Sequence, residues 1–359
     1  MALHVRGVLL PDDEVVDLWL VGDRVTRTPV VGADTISDRG FVLPGLVDAH
    51  CHIGIAQGSR PIAGLDEARA LAAVDRDAGV LAIRDAGSPY SYGELDDDPD
   101  VPRLARAGQH VAPVRRYLRD IGVEVVAADV VGAVATQAKA GNGWVKLVGD
   151  WIDREVGDLS PAWDVGTLAA AVQAAHDAGV RMTAHCFAEE SVAALVAAGI
   201  DCVEHGTGLT ADGIVEMASR GTALVPTMIN IETFEAIAAA ADDRFPTYAA
   251  HMRRLRAAFP SIVGAAVDAG VPVYVGSDAG GGIDHGMAAA EMLMLHDKAG
   301  MSADAVLAAG SWGAREWLGF PGLVEGGLAD LVVYDADPRR HLDVLNNPKR
   351  IVLRGRVVL

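Results

Sequence analysis

Short apolar runs alternate with stretches in which apolar residues return every three or four positions, from residue 43 to residue 278. The short runs have strand length, and the longer stretches have helical periodicity. A four-residue joint recurs between the two. Asp77-Ala78-Gly79-Val80, Asp177-Ala178-Gly179-Val180, Asp268-Ala269-Gly270-Val271 and Ala197-Ala198-Gly199-Ile200 each stand before an apolar run. Each predicts a helix closed by a glycine just past its end, followed by a buried strand. Residues 164–179 show the helical half: Asp164 can cap the N-terminus, and Val165, Leu168, Ala169, Val172 and Ala175 are expected on one buried face.

Eight strands are predicted, near 43–52, 80–85, 109–114, 144–148, 180–185, 201–205, 222–228 and 271–278. Eight strands alternating with helices point to an α/β fold in which a parallel sheet closes into a (β/α)8 TIM-type barrel. An open, doubly wound sheet is the competing arrangement. Residues 1–40 and 326–359 differ from the rest, with short β segments set between Gly and Asp turns. Neither end can bury a core alone, so we expect them to pair into one small β-sandwich beside a barrel spanning 41–325.

Composition narrows the function classes. The chain has 359 residues, is 51% hydrophobic and carries a formal net charge of −19. An acidic surface argues against nucleic acid or an anionic membrane as partner and does not itself identify the small-molecule substrate expected. Assembly with further copies of the chain stays open. The opening stretch MALHVRGVLLPDDEVVDLWLVGD is broken by charge and lacks the apolar core of a signal peptide. Three cysteines without regular spacing argue for a reducing compartment, so the cytoplasm is the expected location.

Polar residues then collect where predicted strands end: Asp48, His50, His52, Lys146, His185, His205 and Asp278. On a barrel these ends converge on one mouth. His50 and His52, two apart on a strand, face the same way, either as satisfied core histidines or as metal ligands. Cys51 between them faces the other way and is expected to pack. His185 and His205 end consecutive strands. Asp278 follows an apolar run, where a carboxylate is costly to bury without a cation. Lys146 in WVKLVGD poses the same problem. An ion pair would settle it; so would a neutral amine that reacts with CO2 to give an anionic, metal-bridging carbamate. Asp48 can orient a ligand histidine or cap the strand end, and Arg84-Asp85 is expected to be a structural pair.

These residues lie in LPGLVDAHCHIG, WVKL, TAHCFAEESVAALVAAGIDCVEHGTGL and GSDAGGGIDHGMAAAEMLML, followed by VEGGLADLVVYDADP. In that order the segments resemble the amidohydrolase superfamily, in the branch of imidazolonepropionase-like proteins and prolidase-like metal-dependent dipeptidases and carboxypeptidases. The resemblance covers nearly the whole chain, and the ordered set of five is specific where each segment alone is weak. It implies two divalent metal ions, zinc being expected. His50, His52 and Asp278 would hold one and His185 and His205 the other, with the CO2-derived carbamate on Lys146 and a hydroxide bridging them. Asp278 would shuttle the proton. Imidazolonepropionase itself resembles a one-metal version without the lysine, so Lys146 shifts the expectation toward a two-metal, peptidase-like hydrolase.

The resemblance thins at the substrate site. Where dipeptidase-type members often carry a glycine-rich stretch, this chain has GQHVAPVRRYLRDIG, with His110, Arg115, Arg116 and Tyr117 as candidates. Arg115 or Arg116 could grip a substrate carboxylate with both arms, or begin a solvated basic helix. Asn230 in VPTMIN stands where peptidase-like members often place a tyrosine, and His285 in GGGIDHG could touch substrate or sit in a turn. The expected activity is cleavage of an amide-type C–N bond in a dipeptide or N-acyl amino acid. The alternatives are a cyclic amide, lactone or imidazolone-like ring, and, more remotely, an inactive scaffold, against which the complete ligand set speaks.

Overall fold

The computed structural model describes residues 2–359. All four glycine joints form as the sequence predicts. The helices Leu65–Asp77, Val165–Asp177, Glu189–Ala197 and Pro246–Asp268 each end two residues before their glycine. Gly79, Gly179, Gly199 and Gly270 take φ of 91°, 74°, 84° and 83°. A left-handed residue there reverses the chain and delivers it into a strand at little steric cost.

The strands close into a barrel. Leu46–Cys51 pairs in parallel with Val80–Asp85, which pairs with Arg103–Arg106. Val111–Pro113 then pairs with Trp144–Val148, and that strand with Arg181–Cys186, Cys202–His205 and Ala223–Val225 in turn. Residues 271–278 supply the eighth position: the Tyr274 amide donates to Leu224 O at 3.0 Å, the Ala49 amide to Val275 O at 2.7 Å and the Asp278 amide to His50 O at 2.7 Å. Every strand thereby has two neighbours, which is the closed ring rather than the open sheet.

Three details depart from the expected strands. The third position is built from two pieces, Arg103–Arg106 against the second strand and Val111–Pro113 against the fourth. The first piece reads as polar in sequence, but Arg103 pairs with Asp330 at 2.7 Å and Arg106 with Asp96 at 2.6 Å, so both guanidinium groups are neutralised beside the sheet. The seventh strand stops at Val225 and gives way to a helical turn at Met228–Ile231. The eighth makes isolated bridges rather than a full ladder. The helix Val165–Asp177 is capped as expected, with the Thr167 amide donating to Asp164 Oδ1 at 2.9 Å. Its buried face is Leu168, Ala171, Val172 and Ala175, whereas Val165 and Ala169 are exposed.

The two ends of the chain share one mixed eight-stranded sheet. Its order is Arg356–Val357, Arg350–Leu353, Leu331–Tyr334, Phe41–Pro44, Leu3–Leu9, Glu14–Val21 and Arg24–Thr26, with Asp34–Ser37 beside Leu3–Leu9. Phe41–Pro44 therefore belongs to this sheet, through Leu331–Tyr334, and not to the barrel. Val5, Leu18, Leu20, Val42, Leu331 and Val333 form its core. Asp330 fastens the sheet to the barrel, accepting from Arg103, from Arg315 at 2.9 Å and from the Arg354 amide at 2.8 Å. No helix among the described residues is long and apolar enough to cross a membrane.

Candidate metal centre

His50, His52, Lys146, His185, His205 and Asp278 all line one cavity of about 570 Å³ at the C-terminal mouth of the barrel. The four imidazoles form a chain, His52 to His50 to His205 to His185, with ring centroids 5.0, 5.1 and 4.8 Å apart. Backbone strain accompanies the arrangement: His205 and Asp278 take φ of 62° and 59° at the ends of their strands, and Thr227 takes 50°. Non-glycine residues hold this conformation only where their surroundings impose it, and they concentrate at functional sites.

The protonation pattern is fixed by acceptors behind the rings. His50 Nδ1 donates to Glu204 Oε2 at 2.7 Å and His52 Nδ1 to the Gly87 carbonyl at 2.8 Å. A carboxylate and a carbonyl can only accept, so each neutral ring keeps its lone pair on Nε2. The two Nε2 atoms lie 3.1 Å apart, and Asp278 Oδ1 lies 3.0 Å from one and 3.2 Å from the other. Three acceptor atoms thus converge on one point, and His50, His52 and Asp278 have ligand atoms within 4.8 Å of one another. Such convergence repels unless a cation stands at its centre, so the donor set fits a divalent metal.

The other side of the cavity has the same character. Burial pushes His205 down to about 3 and His185 well below the usual imidazole range. His205 Nδ1 meets Thr227 Oγ1 at 2.7 Å, whereas His185 Nε2 has no hydrogen-bond partner. Lys146 Nζ is also buried without a partner, and burial lowers its pKa against the pull of Glu204. Among the described residues no carboxylate pairs with Lys146, which speaks against the ion pair. An unpartnered amine lining the cavity beside the unpartnered His185 Nε2 fits the carbamate chemistry. At Asp278 burial alone favours the acid, and a cation at the centre of the three acceptor atoms would favour the carboxylate. Its second oxygen, Oδ2, accepts from Asn230 Nδ2 at 2.7 Å.

The remaining candidates divide. Tyr117 and Asn230 line the cavity. His110 is fully buried behind it, packed at a tilt between His52 at 5.3 Å and Tyr117 at 5.2 Å. Arg115 is exposed and outside the cavity. Arg116 is neither a clamp nor a solvated helix start. Its guanidinium donates to Pro161 O at 3.1 Å, Trp151 O and Ser160 O at 2.9 Å, and Ser160 Oγ at 2.8 Å. His285 lies on the outer face of the first strand, where Nδ1 donates to Asp75 Oδ2 at 2.7 Å beside Cys51. It therefore neither lids the cavity nor lines it. Asp48 caps rather than orients: it accepts from the Ser277 hydroxyl, the Ser277 amide at 3.0 Å and the His50 amide at 3.1 Å.

Two further residues hold the site. Glu204 is completely buried and accepts at once from His50, from Arg84 at 2.6 Å and from the Thr183 hydroxyl. Arg84 is thus the partner of Glu204, not of its neighbour Asp85, whose oxygens accept from the Ile53 and Gly87 amides. Asp150 accepts from the Phe187 and Ala188 amides at 2.9 and 2.7 Å, fixing the loop after His185.

A family model described as the Amidohydrolase family matches residues 105–358. The chain belongs to this family. An uncharacterized protein of Mycobacterium tuberculosis is 52% identical over 355 residues, covering 99% of this chain and 95% of that protein. Among solved structures, a Xaa-Pro dipeptidase with bound methionine in the active site is 22% identical, with a TM-score of 0.81 and 99% of each chain covered. An A. niger ochratoxinase is 18% identical, with a TM-score of 0.81, covering 99% of this chain and 95% of that one. These two likenesses are of fold. As an amidohydrolase the chain is a hydrolase, and divalent metals are what its family generally uses.

Proposed function

We propose that this amidohydrolase cleaves an amide-type C–N bond with two divalent metals, zinc being the expected ion, and with Asp278 as the proton carrier. The observation behind this proposal is the convergence of His50 Nε2, His52 Nε2 and Asp278 Oδ1 beside the unpartnered Lys146 Nζ and His185 Nε2. His50, His52 and Asp278 would hold one metal, His185 and His205 the other, and a carbamate on Lys146 both. Bound there, divalent metals would make water nucleophilic at neutral pH and polarise the scissile carbonyl.

The chain's own groups do the rest. Glu204 and the Gly87 carbonyl keep the His50 and His52 protons on Nδ1, so Nε2 stays free toward the cavity. Asp278, held ionised, takes a proton on one carboxylate oxygen and gives it to the departing nitrogen, without which an amine leaves poorly. Asn230 holds Oδ2 in place by donating to it.

Asp278→Asn separates chemistry from metal binding. It keeps the shape and one ligand oxygen but removes the proton acceptor. We expect kcat to fall by about 10²-fold or more while metal content stays at the parental level. Parental kcat with metals bound would assign the proton to another group.

A further inference from the structure

The cavity's outer wall differs in kind from its metal-facing wall. Tyr117 and Trp151 pack edge to face at 5.0 Å, and Phe187 and Phe234 do the same at 4.7 Å. His185 sits between the two pairs, 5.3 Å from Trp151 and 4.4 Å from Phe187. Ile152 and Ile237 continue the apolar lining. Among the described residues, Lys146 is the one Lys or Arg that lines the cavity. The nearby cation that could have met a substrate carboxylate, Arg116, spends its donors on Trp151 O, Ser160 O and Pro161 O. These carbonyls belong to the hairpin Asp150–Asp153 and Asp158–Pro161. Arg116 therefore braces the loop that carries Trp151.

From these placements we infer that the cavity selects an uncharged substrate with an aromatic group beside the scissile bond, and excludes a dipeptide or N-acyl amino acid bearing a free carboxylate. This rests on the hydrolase assignment for which bond breaks; the choice of substrate rests on the outer wall alone. A carboxylate in that wall would lose its water and gain no cation, a strongly unfavourable exchange. A neutral aromatic group instead gains apolar burial and edge-to-face contacts with Trp151 and Phe187. The volume of about 570 Å³ suits a substrate with two rings.

The test uses the zinc-loaded protein and two matched pairs. The first pair is N-benzenesulfonyl-phenylalaninamide and N-benzenesulfonyl-phenylalanine, in which a sulfonyl group replaces the acyl carbonyl of the scissile bond. Calorimetry should give the amide a dissociation constant lower than that of the acid by about 10-fold or more. In Ile237→Arg, at the exposed edge of the lining, the preference should shrink or invert because a cation has been supplied. Equal or tighter binding of the acid to the parent overturns the inference, as does failure of both to bind. The second pair, the N-benzoyl counterparts, reads turnover. Tight binding of the neutral sulfonamide with no cleavage of the neutral benzoyl compound would sink the hydrolase assignment while leaving the substrate preference intact.

Discussion

Glu204 serves two donors at once: it accepts the His50 proton at 2.7 Å and the Arg84 guanidinium at 2.6 Å, and both it and Arg84 are completely buried. Glu204→Gln would leave Arg84 buried without its anion. Removing one partner of such a pair costs about 3–5 kcal/mol, and weakening the partner behind a ligand histidine lowers metal affinity by about 10–100-fold. Denaturant unfolding and a metal titration of the variant read the two effects. A stability within about 1 kcal/mol of the parent would show the pair to be no stronger than an exposed one. The sequence shows the histidines and Asp278 because each ends an apolar run. It hides Glu204, because in a regular strand Glu204 and His205 would face opposite sides. The left-handed φ of 62° at His205 breaks that alternation and brings both side chains inward, and such a conformation at a histidine has no sequence signature.

At the scale of elements, the glycine joints are legible because a glycine past a helix end has a backbone reason to be there. The split third strand is not, because its arginines are neutralised by Asp96 and Asp330, which lie far off in sequence or outside the barrel. Nor is the task of Arg116, whose acceptors are carbonyls of a hairpin about forty positions on. The short helix Met228–Ile231, which carries Asn230, offers a pH test. Its Met228 and Ile229 amides donate to Glu291 at 2.7 and 2.9 Å. Burial outweighs these bonds and raises the Glu291 carboxyl from 4.5 to about 8. The folded state then binds this proton more tightly than the unfolded state, so the contribution is complete below 4.5 and lost as pH rises to about 8. Unfolding free energies measured across that window should fall more steeply for the parent than for Glu291→Gln. Parallel curves would mean that Glu291 is ionised throughout.

At the scale of the molecule, we propose that residues 1–40 and 326–359 act as one composite domain that the barrel needs. Leu331–Tyr334 lies between Phe41–Pro44 and Arg350–Leu353, and Asp330 neutralises Arg103 and the buried Arg315. Removing residues 326–359 would uncover Val42 and Leu43 and strand Arg315. We expect the shortened chain to aggregate rather than to lose only some of its rate, as seen by size-exclusion chromatography; a soluble, active product would contradict the proposal. The closed barrel was legible in the alternation of strand and helix and in four similar joints. The sheet joining the ends was harder to bound, since Phe41–Pro44 continues directly into the first barrel strand and gives no break in composition.

The account as a whole depends on how many metals the six residues hold. Elemental analysis of the purified protein after loading with zinc and removal of loosely bound ions measures this directly. Two equivalents per chain are predicted, one for His50, His52 and Asp278, one for His185 and His205, with Lys146 shared. A stoichiometry of one, with the mass of Lys146 unchanged, would contradict it.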